Sequence, residues 1–331
     1  MSNPSKPKKN TASKLALPQL SLKDLLTKSW RNPKGSNSLS TLQNASQKTR
    51  FPPVKKSKKN RHKKKYGGVC LYSTQDQWGS IEVIEDRDSR RLHFGNSGIQ
   101  GRMSIDTPWV PRCTYVESMS LVGCLYEHHS NQKEQILLLG LGSGGLAHTI
   151  RRLYPDAHLD LVELRAQVVD VAKRFFKIDD LNAQLHIDDA FHFVKMAFIH
   201  KRPLYHLILI DLYLDQGMIP LLFDPLFWEA CELLLHPNGL FAVNLWSGDR
   251  EQLKQVILAI QRGFKGESRI LDHEDVGNVI YFGRPSGFNW EYAYQKQSYH
   301  QHQLYPSIFR SQPALDRLYR QTPSLFFDLV F

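Results

Sequence analysis

The 331-residue chain carries a formal net charge of +11, but this charge belongs to one segment. Residues 1–66 hold 18 Lys and Arg and one acidic residue, and the remainder holds 25 basic and 31 acidic residues, so the two parts carry +17 and −6. The overall charge therefore does not mark the folded part as a nucleic-acid-binding domain. No apolar run approaches the ~20 residues of a membrane-spanning helix. The four cysteines form no CxxC pair, so we expect a reduced, cytoplasmic protein.

Residues 1–66 are rich in Lys, Ser, Asn and Pro and poor in aromatic residues. Such a composition predicts a disordered tail, because it cannot bury enough apolar surface to offset the entropy of ordering. The densest run of charge lies at residues 55–65. This run predicts a weak contact with a polyanion such as RNA or anionic lipid, and the alternative is a solvated tail without a partner.

From Gly67 the sequence changes to short strand-like segments, and residues 67–105 predict a small antiparallel β domain. A hairpin turn is expected at Asp86–Ser89. The strands around it are predicted at Val69–Ser73, Gly79–Glu85 and Arg91–Gly95. Farther on, the apolar residues between Val116 and Tyr126 have helical spacing, which predicts a helix there.

After Asn131, strand-like and helix-like segments alternate regularly as far as Phe282. Ile136–Leu139 is continuously apolar, as expected for a strand buried on both faces. Further strands, separated by helical segments, are predicted at Leu159–Val162, Leu185–Ile187, Leu207–Ile210, Leu240–Leu245 and Val279–Phe282. This alternation predicts an α/β domain of Rossmann type over residues 106–285, with a mostly parallel sheet and helices on both faces. Residues 286–331 are expected to form a helical or irregular extension.

The strongest local signal is the run Gly140-Leu141-Gly142-Ser143-Gly144-Gly145, which follows a predicted buried strand and opens a predicted helix. Three of its glycines, Gly140, Gly142 and Gly145, satisfy the pattern G-x-G-x-x-G. Glycine allows the backbone to approach a ligand, and the helix N-terminus presents N–H groups to it. The run therefore predicts a nucleotide-binding turn. The alternative is a tight turn that only packs the strand against the helix.

Acidic residues follow the next three predicted strands. Glu163 lies 23 residues past Gly140, where a carboxylate can accept hydrogen bonds from both ribose hydroxyls. Asp189 could accept from an exocyclic adenine amine, with Asp188 as a solvated neighbour. Asp211 directly follows the strand at Leu207–Ile210. Because the carboxyl ends of parallel strands meet at one edge, we expect these carboxylates around one adenosine-sized pocket.

This set of residues resembles the spermidine synthase family, the polyamine aminopropyltransferases and their relatives. The glycine run, Glu163, Asp189-Ala190 and Asp211 match the family's cofactor and catalytic motifs, and Gln100 and Tyr115-Val116-Glu117 match its upstream stretch. The resemblance extends from about Trp78 to Pro285. It implies a class I methyltransferase-like Rossmann sheet of seven mostly parallel strands, preceded by the small antiparallel β domain.

The resemblance also implies the chemistry. The co-substrate would be decarboxylated S-adenosylmethionine, or S-adenosylmethionine, with no metal. Asp211 would be the base that deprotonates a small amine acceptor. The residues implied to bind the acceptor are Tyr115, Glu117, Tyr213 and Asp215. Those implied to bind the co-substrate are Gln100, Gly140, Gly142, Ser143, Gly144, Gly145, Glu163, Asp189 and Ala190.

Two departures from the family pattern leave alternatives open. Ser143 replaces an Asp of the glycine motif, and Leu212-Tyr213-Leu214-Asp215 stands where the family has Ser-Ser-Asp-Pro. The family's second acceptor-binding Asp is therefore missing or shifted to Asp215. The alternatives are a methyltransferase that uses S-adenosylmethionine, a nicotinamide-dependent oxidoreductase, and a nucleotide-binding protein that has lost catalysis. A homodimer is also left open.

Overall fold

The computed structural model describes residues 64–95, 98–126, 133–214, 217–273 and 277–285, together with Trp290. The predicted tail up to residue 63 and the predicted extension beyond Trp290 lie outside the described residues. Of the basic run at residues 55–65, only Lys64 and Lys65 are described. Among the described residues, no helix is both long and apolar enough to cross a bilayer.

The first sheet is antiparallel and has five strands in sequence order. They are β1 (Lys64–Lys65), β2 (Gly68–Asp76), β3 (Gly79–Asp86), β4 (Ser89–His93) and β5 (Ile99–Ser104). The predicted hairpin turn is confirmed, because Asp86 pairs with Ser89 and Arg87 takes a φ of +46°. Lys64 and Lys65 already pair with β2, whereas the composition placed the start of the β domain at Gly67. The short β1 and the polar β5 were not predicted, since neither shows apolar alternation.

The second sheet has seven strands, as the sequence resemblance implied, in the order β13-β14-β12-β9-β6-β7-β8. The strand β14 runs in the direction opposite to that of the other six strands. The bounds of these strands are β6 (Gln135–Leu139), β7 (His158–Glu163), β8 (Gln184–Ile187), β9 (Tyr205–Ile210), β12 (Leu235–Trp246), β13 (Glu267–His273) and β14 (Asn278–Arg284). A small hairpin, β10 (Tyr213–Leu214) and β11 (Gly217–Met218), follows β9.

Seven α-helices occur among the described residues. They are α1 (Thr114–Met119), α2 (Val122–Leu125), α3 (Gly145–Leu153), α4 (Ala166–Phe175), α5 (Ala190–Ile199), α6 (Pro225–Leu234) and α7 (Arg250–Gly263). The predicted helix between Val116 and Tyr126 is therefore two short helices. Ser120 lies in the break between them, and its hydroxyl donates to the Val116 carbonyl oxygen at 2.6 Å. A side-chain hydrogen bond of this kind favours a bend in a helix.

The two sheets are joined by an apolar layer and by one buried ion pair. Apolar residues of β3, β4 and β5 pack against α4, with Ile81, Val83, Leu92 and Met103 facing Val168, Val171 and Phe176. Beside this layer, the Arg165 guanidinium donates to both oxygens of Asp76, at 3.0 and 2.8 Å. It also lies over the Phe94 ring at 4.3 Å. The side chain of Arg165 is only 3% exposed, so this pair fixes the small sheet against the start of α4.

Candidate functional site

A cleft opens at the carboxyl ends of β6, β7, β8 and β9. This is the edge at which ligands bind in open α/β sheets. The first sheet closes one side of the cleft with Phe94 and Gln100. Of the residues predicted from the sequence, those that line the cleft are Gln100, Gly140, Gly142, Glu163, Asp189, Ala190 and Tyr213.

The glycine turn connects β6 to α3 and needs glycine for steric reasons. Gly140 has a φ of +94°, and a side chain there would overlap the main-chain oxygen of Asp211. Gly144 precedes α3 with a φ of +74°, and a side chain there would overlap Ile178. Ser143, Gly144 and Gly145 are not among the residues that line the cleft. The Ser143 side chain is buried and packs against Gly101 of β5.

Glu163, at the end of β7, holds the glycine turn in place. Its Oε2 accepts from the Leu141 main-chain N–H at 3.1 Å, and its Oε1 accepts from that of Arg165 at 2.9 Å. Burial raises the pKa of Glu163, and these N–H donors oppose the rise. Each carboxylate oxygen can accept more than one hydrogen bond. A carboxylate in this place can therefore bind ligand hydroxyls while it stays bonded to the turn.

Asp188 and Asp189, between β8 and α5, have different partners. Asp189 caps α5, and its Oδ1 accepts from the N–H groups of Phe191 and His192, each at 3.0 Å. Asp188 was expected to be solvated, and its side chain is 32% exposed and also has a side-chain partner. Its two oxygens lie 2.8 and 2.9 Å from Nδ1 of His192, one helical turn ahead. Both carboxylates line the cleft.

Asp211 follows β9 and lies beside the glycine turn. Its main-chain N–H donates to the Leu139 carbonyl oxygen at 2.8 Å. Its Oδ1 accepts from Nδ2 of Asn244 at 3.0 Å, and the Tyr115 hydroxyl forms a second hydrogen bond with the carboxylate. Burial raises the pKa of Asp211, and these two donors oppose the rise. The result is a half-buried carboxylate at the edge of the sheet with its donors already in place.

The predicted acceptor-binding residues are only partly brought together. Tyr115 bonds to Asp211, and the Tyr213 hydroxyl donates to the Asn244 main-chain oxygen at 3.0 Å. Burial raises the pKa of both tyrosines well above the ordinary value. Glu117 lies two residues beyond Tyr115 on α1, about 200° around the helix axis. Asp215 lies outside the described residues.

The sequence interpretation missed Arg165, Phe94 and two asparagines of the site. Asn244 stands inside the apolar run of β12 and is 2% exposed. A buried amide in such a run needs hydrogen-bond partners, so this residue carried a signal that could have been used. Asn278 opens β14, and nothing in its local sequence indicated a role.

Within the described ranges, no group of three or more His, Cys, Asp or Glu side chains is arranged to hold a metal ion.

Several known proteins similar to this chain are spermidine synthases or polyamine aminopropyltransferases. Residues 113–265 match the family model described as "Spermine/spermidine synthase domain". A polyamine aminopropyltransferase of Chromobacterium violaceum is 29% identical over 215 residues, which cover 64% of this chain and 79% of that protein.

Solved structures of the same family share the fold. A probable spermidine synthase from Corynebacterium glutamicum aligns with a TM-score of 0.56 at 19% identity, over 66% of this chain and 81% of that one. A spermidine synthase from Thermotoga maritima aligns with a TM-score of 0.50 at 18% identity, over 69% and 78% of the two chains.

Proposed function

Because residues 113–265 form a spermine/spermidine synthase domain and the chain is a spermidine synthase-like protein, we propose that it is an aminopropyltransferase. It would transfer the aminopropyl group of decarboxylated S-adenosylmethionine to a polyamine. The observation that carries this proposal is the Asp211 carboxylate, held by Asn244 and Tyr115 directly beside the glycine turn. A base is needed at that position, because an ammonium ion has no lone pair with which to attack.

The sulfonium of the co-substrate makes an adjacent carbon electrophilic, so the acceptor nitrogen bonds to that carbon as the carbon–sulfur bond breaks and methylthioadenosine leaves. Asp211 takes the proton from the acceptor nitrogen. Glu163 and the glycine turn position the nucleoside, Tyr213 forms the wall beside the acceptor, and Tyr115 holds the Asp211 carboxylate. Such positioning can contribute about 7–11 kcal/mol to the lowering of the barrier.

The positive charge available in the cleft favours decarboxylated S-adenosylmethionine over S-adenosylmethionine as the co-substrate. Of the described residues that line the cleft, only Arg165 carries a positive side chain. Its guanidinium already donates to both Asp76 oxygens and to the Gly79 carbonyl oxygen. The charge of Arg165 is therefore already paired with the Asp76 carboxylate, which makes it a weaker partner for the carboxylate of S-adenosylmethionine.

The test is an assay of both transfer reactions with the purified full chain. Decarboxylated S-adenosylmethionine or S-adenosylmethionine is supplied with putrescine, cadaverine or spermidine, and products are separated by chromatography. An aminopropylated amine together with methylthioadenosine supports the proposal. Methylated product from S-adenosylmethionine alone would establish the methyltransferase alternative. Tight binding of methylthioadenosine without either product would leave a nucleotide-binding protein. The polyanion contact and the homodimer remain separate predictions.

Glu163→Gln is expected to weaken the binding of methylthioadenosine by about 10- to 100-fold, as for loss of hydrogen bonds to a charged group. The amide keeps the size of the side chain but replaces one acceptor oxygen with a donor, which faces the N–H of Leu141 or Arg165. Isothermal titration calorimetry measures the change. Glu232→Gln is the matched control, since this half-buried carboxylate on α6 bonds the Lys265 N–H and does not line the cleft. Equal affinities for the two variants would contradict the role of Glu163.

The rate of transfer should fall as the pH falls through the pKa of Asp211, because the protonated carboxyl cannot accept the amine proton. Burial raises the pKa of Asp211, so the midpoint of this loss should lie above the ordinary value of about 3.9. A profile of kcat/KM against pH measures the midpoint. A profile that stays flat down to the pH at which the protein unfolds would contradict Asp211 as the base.

A further inference from the structure

Two asparagine side chains form a hydrogen-bonded chain that ends on Asp211. Nδ2 of Asn278 donates to Oδ1 of Asn244 at 2.9 Å, and Nδ2 of Asn244 donates to Oδ1 of Asp211 at 3.0 Å. The three residues lie on, or directly after, the neighbouring strands β14, β12 and β9. This chain, which we call the amide relay, crosses three strands at the edge that carries the cleft.

The orientation of the Asn244 amide matters because its two ends are chemically different. An ionised carboxylate only accepts hydrogen bonds, so Asp211 requires the NH₂ end. The oxygen end then faces Asn278, and a buried amide oxygen is stable only if a donor faces it. Asn244 is 2% exposed, so water does not readily replace that donor. That donor is Nδ2 of Asn278.

Asn278 also touches the wall of the cleft. Its side chain forms a hydrogen bond with the Tyr213 hydroxyl, and that hydroxyl donates to the Asn244 main-chain oxygen at 3.0 Å. Tyr213 lines the cleft. Asn278 therefore contacts both Asn244 and Tyr213. The Asn244 side chain separates it from the Asp211 carboxylate.

We infer that Asn278 is a positioning residue, which fixes the orientation of the Asn244 amide and so keeps a donor on the Asp211 carboxylate. The inference rests on the proposed function only in taking Asp211 as the base. The relay favours the charged form of Asp211 against its burial. Without Asn278, the Asn244 amide is free to rotate, its oxygen can face Asp211, and that contact favours the protonated carboxyl.

The neighbouring titratable groups do not change charge in the pH range in which the titration of Asp211 is followed. Among the described residues, the titratable groups that interact with it are Cys113, directly before α1, Tyr115 on α1 and Tyr213 on β10. Burial raises the pKa of Cys113 to about 11 and that of both tyrosines well above the ordinary value. All three stay neutral over the acidic range in which Asp211 titrates.

The experiment measures the ionisation of Asp211 directly in the full chain. The γ-carboxyl carbons of aspartate are labelled with ¹³C, and the Asp211 signal is identified by its absence in Asp211→Asn. We expect Asn278→Ala to raise the titration midpoint of Asp211 by about one pH unit. The acid limb of the kcat/KM profile should move by the same amount. If Asn278→Ala does not fold, Asn278→Leu keeps the branched shape without a donor and gives the same readout.

Two comparisons separate this effect from a general loss of stability. Val279→Ala changes the next residue of β14, a fully buried side chain on the opposite face of the strand. This variant should lower the melting temperature but leave the Asp211 midpoint unchanged. In an Asn244→Ala background, Asn278→Ala should cause no further shift, because the relay is already broken.

No shift in Asn278→Ala, or a shift of equal size with and without Asn244, would overturn the inference. The nuclear magnetic resonance titration needs no turnover. A wild-type protein that makes no aminopropylated product would therefore refute the proposed function, and the titration would still decide the role of Asn278.

Discussion

Asp211→Asn is expected to lower kcat for aminopropyl transfer by about 10²–10⁴-fold, the range typical of a lost general base. The amide has the shape of the carboxylate, and its oxygen can still accept from Asn244 or Tyr115. The fold and the nucleoside side of the cleft should therefore survive. Product chromatography measures kcat, and calorimetry with methylthioadenosine should show an affinity within a few-fold of wild type.

The matched control for this variant is Asp170→Asn. Asp170 lies on the exposed face of α4, pairs with Arg174 at 3.1 Å, and does not line the cleft. The same chemical change there should leave kcat unchanged. Transfer by Asp211→Asn at a rate close to wild type would mean that another group, or water, removes the amine proton.

Arg165→Met is expected to lower the free energy of unfolding by about 3–5 kcal/mol, as for a broken buried ion pair. The guanidinium donates to both oxygens of Asp76, whose side chain is 11% exposed. Without Arg165, this carboxylate stays buried at the junction of the two sheets with its main charged partner removed. Methionine retains much of the side chain's volume, so the loss reports mostly on the charge. Urea unfolding measures the free energy.

Arg174→Met provides the comparison for Arg165→Met. Arg174 and Asp170 are 36% and 44% exposed, so loss of that pair should cost about 0–1 kcal/mol. The double variant Arg165→Met with Asp76→Leu should recover part of the lost stability, because no buried charge is then left without a partner. Equal effects of Arg165→Met and Arg174→Met would show that the buried pair does not hold the sheets together.

The sequence was sufficient for the parts of the fold that are buried on both faces. The strand at Ile136–Leu139 is continuously apolar because helices cover both sides of the parallel sheet. The edge strand β13, Glu267–His273, was missed because only Ile270 and Leu271 are apolar and polar residues stand on both sides of them. Two apolar residues are too short a run to predict a strand from local pattern.

The candidate site likewise has a part that the local sequence predicted and a part that it did not. Glu163 and Asp211 were predictable because each ends an apolar strand, and parallel strands bring their carboxyl ends to one edge. The pairing of Arg165 with Asp76 joins positions 89 apart in the chain, and local periodicity contains no information about such partners. The contact between Asp188 and His192 is different, since a spacing of four residues at a helix start could have indicated it.

The close contact between Gly140 and the main-chain oxygen of Asp211 has an evolutionary consequence. The turn proposed to accommodate the nucleoside and the backbone that carries the proposed base share one wall, without room for even a methyl group between them. A mutation that reshapes this turn for a different donor molecule would also displace the base. Under the proposed function, donor preference and proton removal are therefore coupled at this wall and can change only together.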